Sequence, residues 1–234
     1  MRSTAAFVPA QVGALASGRY TPAAMTRGLL VDFGGVLTTS VIDSFAEFAR
    51  AEGLDPSALA SAMRDAMSDA DSFFLRVERG HIDTPDFEVA FAELIEARLG
   101  IAVAASGLKS RLFAASMPSE PMLHALRCAR AGGVRTALVS NSWGVTEGGY
   151  PVHRFDELFD ATVISGDVGL RKPEPEIYLL AAERAGVEPA ECVFVDDFAI
   201  NVDGAVATGM SGILHRDVDT TIEQLERFLG LPLR

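Results

Sequence analysis

Five short apolar runs punctuate the chain, at 29–31, 136–139, 162–164, 192–195 and 212–214. Their apolar positions are continuous rather than alternating, the pattern of strands covered on both faces. Between them lie stretches of helical period with recognisable ends. Ser119 is placed to cap a helix that turns Met122, Leu123, Leu126 and Ala129 inward and stops at Gly132-Gly133. A second starts near Pro175, carries Ile177, Leu180 and Ala181, and stops at Gly186. A third follows Asp197 through Val202, Ala205 and Val206 to Gly209, and a last runs over about 219–229 with Ile222, Leu225 and Phe228 on one face. Strand–helix alternation predicts right-handed βαβ crossovers and a doubly wound parallel sheet.

From 42 to 112 the pattern is helical only. Phe45, Phe48 and Ala49 form one stripe, Leu59, Met63 and Ala66 another, and Phe87, Phe91, Leu94 and Ile95 a third. Pro56 and Thr84-Pro85 mark helix starts, while Gly53 and Gly80 mark breaks.

Length, charge and cysteine usage narrow the function classes. A chain of 234 residues buries a full core, and no apolar stretch in it approaches the roughly 20 residues of a membrane span. The net charge of −12 argues against nucleic acid, whose phosphates call for a basic surface. Cys128 lies in a helical stretch and Cys192 in a strand, so both read as small buried hydrophobes in a reducing, cytoplasmic setting.

Residues 1–26 differ from the rest: they contain no acid, carry Arg2 and Arg19, and are rich in Ala, Ser, Gly and Pro. They read as an N-terminal extension outside the folded unit. An organelle transit peptide, a disordered tail and an over-extended start all fit the composition, and Met25-Thr26-Arg27 is a natural beginning before the first strand.

The chemistry sits where the apolar runs end. Asp32 follows 29–31, Ser140-Asn141 follows 136–139, Asp196-Asp197 follows 192–195, and Lys172-Pro173 lies between. Open α/β sheets bind ligands beyond the carboxyl ends of their strands, so these groups are expected at one edge. A lone strand-end aspartate is weak, since such residues often cap turns. An adjacent acidic pair is stronger, because neighbouring carboxylates repel unless a cation or proton relieves them. Carboxylate, hydroxyl, lysine and acidic pair are the parts needed to hold a magnesium ion and a phosphoryl group beside a nucleophile.

In this order the four pieces resemble the motifs of the haloacid dehalogenase (HAD) superfamily. The strings 140–143, 168–178 and 193–197, with Asn201 and Gly209-Met210, are most similar to the phosphatase-like N-terminal domain of soluble epoxide hydrolases. The resemblance implies an α/β fold, a HAD-like Rossmannoid parallel sheet in which 27–41 and 113–234 form the core and 42–112 a helical type 1 cap. It implies a Mg²⁺-dependent phosphatase acting on a small phosphorylated metabolite. Asp32 would attack phosphorus; Asp32, the backbone carbonyl of Gly34 and Asp197 would ligate Mg²⁺, with Asp196 beside the metal. Ser140 and the Asn141 backbone would bind phosphate oxygens, and Lys172 would bridge phosphate and nucleophile.

Other residues receive plainer expectations. Asn201 fixes the loop after Asp197, Trp143 borders the entrance or packs, and Arg171 is solvated. The four histidines, 81, 124, 153 and 215, are surface or structural. Met67, Phe73, Phe74 and Arg76 are candidates to face a substrate, with core packing favoured for the apolar three.

Gly34 departs from the family pattern, which places there an aspartate that protonates the leaving group. Three accounts follow. The protein is a phosphatase restricted to good leaving groups or supplied with a proton elsewhere; it is a metal-independent 2-haloacid dehalogenase; or it is a non-catalytic module that binds a phosphorylated ligand. The intact acidic pair favours phosphate over halide. A positive φ is one reason a glycine could stand at this position.

A chain beginning at Met25 is expected to melt within about two degrees of the full-length chain, because removing an undocked tail breaks few contacts. A melting point lowered by about ten degrees would show that the tail packs on the core.

Overall fold

The computed structural model describes residues 27–69, 71–142 and 155–234. The segment 1–24, Trp143 and His153, all subjects of the expectations above, lie outside the described residues.

β1 (Gly28–Val31) is followed by five helices: α1 (Val41–Ala51), α2 (Pro56–Met67), α3 (Phe73–Glu78), α4 (Thr84–Leu99) and α5 (Leu108–Leu112). The chain continues through α6 (Glu120–Ala131), β2 (Arg135–Ser140), α7 (Phe155–Leu158), β3 (Ala161–Ile164), α8 (Ser165–Val168) and α9 (Pro175–Ala185). It closes with β4 (Cys192–Asp196), α10 (Ala199–Ala207), β5 (Ser211–Leu214) and α11 (Val218–Leu229).

The five strands form one parallel sheet in the order β3-β2-β1-β4-β5. Alternate residues of β1 enter different cores, which is why its run is apolar throughout. Leu29 and Val31 pack with α6 and α11, while Leu30 packs with α9 and α10. β1 connects outward to β2 on one side and β4 connects to β5 on the other. The topological switch, and hence the crevice at the carboxyl ends, falls between β1 and β4.

Helices α1 to α5 build a core of their own. Phe48, Leu59, Met63, Phe74, Phe87, Phe91, Ile95 and Leu112 are buried in it, with Phe73 packed against them. Rings of Phe73, Phe74, Phe87 and Phe91 lie with centroids 4.3–6.3 Å apart. The starts at Pro56 and Thr84 are capped by the Asp55 and Asp83 side chains, and Gly80 turns the chain at φ 69°. Two short crossings lead in and out of this segment, tied by Thr39 N–H to the Met117 carbonyl (2.8 Å) and Ser119 N–H to the Leu37 carbonyl (2.8 Å).

Several side chains depart from expectation. Phe228 is 40% exposed and Leu229 is buried instead, because the buried line of α11 runs through Ile222, Leu225 and Leu229. Val206 is 49% exposed, one position around α10 from the buried pair Val202 and Ala205. Ser119 precedes α6, yet its side chain makes no capping bond. Cys128 is half-buried rather than buried, packed against the rim of the core. Among the candidates to face a substrate, Phe74 is buried and Met67 and Arg76 are exposed. No helix among the described residues is long and apolar enough to cross a membrane.

Candidate active site

β1, β2 and β4 are neighbours, so their carboxyl ends deliver Asp32, Ser140 and Asp196 to one edge of the sheet. Asp32 stays in register with β4 one step past its strand, donating its N–H to the Val195 carbonyl at 2.9 Å. Lys172 enters from the segment before α9 and is 1% exposed. Its Nζ lies 2.8 Å from Asp32 Oδ1 and 2.6 Å from Asp196 Oδ2, and 5.4 Å from the centroid of the Phe194 ring. Two carboxylates and an aromatic face therefore surround one buried ammonium.

Each partner is held from behind. Asp196 is fully buried, and Oδ1 accepts from the Phe198 N–H (2.8 Å) while Asn201 Nδ2 donates to both oxygens (3.1 and 3.2 Å). Tyr178 OH donates to the Asn201 carbonyl at 2.7 Å, fixing the start of α10. The Asn141 side chain grips the Lys172 backbone at both ends, accepting from its N–H (2.8 Å) and donating to its carbonyl (3.0 Å). Ser140 is buried at the end of β2. His215, buried beside the site, donates its backbone N–H to the Asp196 carbonyl at 2.8 Å, and its Nδ1 lies 2.8 Å from Thr221 Oγ1.

Asp197 is different. Its Oδ1 is buried and has no hydrogen-bond partner among the described residues. Asp32, Asp196 and Asp197 each offer an oxygen, and these oxygens lie within 4.8 Å of one another. One lysine cannot neutralise three carboxylates. Burial, opposed by Lys172 and reinforced by Asp196, pushes the Asp32 carboxyl up to about 7. Burial, then the neighbouring Asp196, pushes Asp197 up to about 6. Burial alone would lower Lys172, but Asp32 and Asp196 outweigh it and raise the ammonium. A space lined by an orphaned carboxylate oxygen and surplus negative charge fits a divalent cation.

The glycines beside Asp32 have separate reasons. Gly35 has φ 79°, and a Cβ there would run into the Asp197 carboxylate. Gly34 is not in the left-handed region; a Cβ there would meet Val41 Cγ2 at 2.6 Å. The positive φ entertained for Gly34 thus belongs to Gly35, and the place of a side chain at 34 is taken by the first residue of α1. A cavity of about 640 Å³, lined in part by Gly35, Asp197, Ile42, Phe198 and Arg216, opens beside these residues.

Arg171 corrects the expectation of a solvated side chain: its Nη2 lies 2.8 Å from Glu78 Oε2 in α3. The roles of Asn141's side chain, Tyr178 and Glu78 had no local sequence signal, because each partner lies more than 20 residues away.

A family model described as haloacid dehalogenase-like hydrolase matches residues 26–209. The chain is 29% identical over 162 residues to mouse acyl-CoA dehydrogenase family member 10, covering 68% of this chain and 15% of that protein. It is 35% identical over 118 residues to pig bifunctional epoxide hydrolase 2, covering 48% of this chain and 21% of that protein. The chain therefore spans about a fifth or less of the length of these curated relatives. Among solved structures, a HAD family enzyme of Bacteroides thetaiotaomicron in complex with magnesium and inorganic phosphate superposes with a TM-score of 0.57 at 24% identity, over 81% of this chain and 94% of that one.

The two raised carboxyls carry a pH signature. A folded-state pKa above the unfolded 3.8 contributes stability that is complete below about 3.8 and is lost as pH rises through about 6 for Asp197 and about 7 for Asp32. In metal-free buffer, Asp197→Asn should therefore gain stability over wild type as pH rises from about 4 to about 6, read from urea midpoints. A wild-type minus variant difference that is flat across that window contradicts the burial of an uncompensated charge.

Proposed function

We propose, from the premise that this chain belongs to the haloacid dehalogenase-like hydrolases, that it is a Mg²⁺-dependent phosphatase acting through Asp32 on a small phosphorylated metabolite. The observation that carries the reading is the three-carboxylate cluster with its unpartnered Asp197 oxygen beside a lysine-paired Asp32. A 2-haloacid dehalogenase needs no cation and has no use for that surplus charge. The magnesium and inorganic phosphate named for the Bacteroides enzyme are in keeping with the phosphate reading.

Asp32, Asp197 and the backbone carbonyl of Gly34 would hold Mg²⁺. Asp196, both of whose oxygens are engaged by protein donors, serves beside them as the anchor of Lys172 and of the loop into α10. Bound there, the cation supplies positive charge that lets an anionic ester approach an anionic nucleophile. A carboxylate oxygen of Asp32 attacks phosphorus, and the bond from phosphorus to the leaving oxygen breaks, giving an aspartyl-phosphate. Water then hydrolyses that acyl phosphate, releasing inorganic phosphate and restoring Asp32. Ser140, the Asn141 backbone and Lys172 hold the phosphate oxygens through both steps. Residues 42–112 act as a helical type 1 cap over the core formed by 27–41 and 113–234. A cavity of about 640 Å³ suits a metabolite-sized leaving group.

Asp32→Asn should abolish phosphate release while leaving the fold intact, with a lowered melting point because Lys172 loses one of its two carboxylates, and EDTA should abolish release in the wild type. Full turnover in either case would sink the mechanism, and chloride released from 2-chloropropionate without metal would favour dehalogenation.

Gly34 generates a second expectation. With no acid at this position, negative charge builds on the departing oxygen, so aryl and acyl phosphates should outrun alkyl and sugar phosphates by about 10²–10⁴. Because Val41 fills the place of a side chain at 34, Gly34→Asp is best made together with Val41→Ala. The double variant should raise alkyl phosphate turnover selectively. Equal wild-type rates on alkyl and aryl phosphates at saturating Mg²⁺ would refute the assignment.

A further inference from the structure

The end of helix α3 meets the core beside Lys172. Glu174 N–H donates to the Arg171 carbonyl at 2.9 Å, closing a turn whose central residues are Lys172 and Pro173. Both corners of the turn are gripped from α3 and the residue after it. At one corner, Arg171 Nε and Nη2 lie 2.9 and 2.8 Å from Glu78 Oε2, with side-chain exposures of 21% and 11%. At the other, Arg79 forms a two-pronged pair with Glu174 and also reaches the Gly169 carbonyl. Gly80, at φ 69°, brings its backbone so close to Gly166 that a Cβ would run into the Gly166 carbonyl.

The charges are crossed. The helical segment presents acid then base, and the lysine turn presents base then acid. Sliding one past the other would set Glu78 against Glu174 in one direction or Arg79 against Arg171 in the other, so the arrangement fixes register as well as separation.

We propose that Glu78 and Arg79 are positioning residues for Lys172: docking of the helical segment 42–112 sets the lysine turn, so that the ammonium sits between Asp32 and Asp196 only while these crossed pairs hold. The consequence for turnover rests on the phosphatase reading; the consequence for the lysine does not.

The chain offers a clean probe, because Lys109 and Lys172 are its two lysines and both are buried. Acylation by acetic anhydride with peptide mass spectrometry reads Lys172 directly, and Lys109, in the helical segment, reports whether that segment remains folded. In Arg79→Ala and Glu78→Gln, Lys172 should label about tenfold faster with Lys109 unchanged. Over the same variants, kcat for an aryl phosphate should fall about tenfold with KM within about twofold, the split expected when a group acting in the transition state is displaced. The exchanged pair Arg79→Glu with Glu174→Arg, at the more exposed corner, should bring both quantities back to within about threefold of wild type.

Unchanged Lys172 labelling and unchanged kcat in the two single variants, whatever their melting points, would overturn the proposal. So would failure of the exchanged pair to recover either quantity. A wild type that releases no phosphate from any ester would remove the phosphatase reading alone, since the labelling of Lys172 still decides whether the turn is set from α3.

Discussion

A buried ammonium held by two carboxylates organises the carboxyl edge of this sheet. Removing one partner from a buried ion pair costs about 3–5 kcal/mol, because the remaining charge is stranded away from water. Lys172, Asp32 and Asp196 are each less than a tenth exposed, so none can be withdrawn without stranding another. The demand propagates outward. Asp196 needs Asn201 and the Phe198 N–H on its remaining lone pairs, Asn201 is steadied by Tyr178, and the lysine's backbone is clamped by Asn141. Four segments of the chain, the ends of β1, β2 and β4 and the turn before α9, are thereby tied to one charge.

That network leaves out Asp197. Its neighbour Asp196 is saturated by donors, while Asp197 keeps a buried oxygen with no partner among the described residues and a carboxyl pushed up to about 6. Adjacent residues of one acidic pair thus do opposite work: one anchors the fold at the site, the other remains available for a ligand. The small residues at 34 and 35 preserve this division. Gly35 lets the backbone pass the Asp197 carboxylate, and Gly34 leaves the adjoining space to Val41, an apolar contact where a polar side chain would otherwise reach the same crevice.

The helical segment contributes shape and grip rather than first contact with the cluster. Its aromatic core is separate from the two cores that clothe the sheet, so it can pack as a unit. What joins it to the lysine turn is polar, at Glu78 and Arg79. Apolar packing gives such a segment its internal stability, whereas crossed charges give it one preferred register on its neighbour.

Strand count, the parallel sheet and the strand-end position of Asp32, Ser140, Asp196 and Asp197 were legible locally, because a strand covered on both faces must be apolar at every position and polar groups can appear only where it ends. The helices and their boundaries at Pro56, Thr84, Gly133 and Gly186 were legible for the same kind of reason, since capping and left-handed turns act within a few residues. Which face of a helix end is buried was less so: Phe228 and Leu229 differ by one position, and the neighbouring sheet chose Leu229. Identical reasoning separates Asp196 from Asp197, Gly34 from Gly35, and a solvated Arg171 from one paired to a helix 93 residues away. Sequence by itself determined the types of group and the edge at which they collect. Only tertiary structure decided which of two adjacent residues is engaged and by whom, because the partners are distant in the chain and their approach depends on packing that no local pattern records.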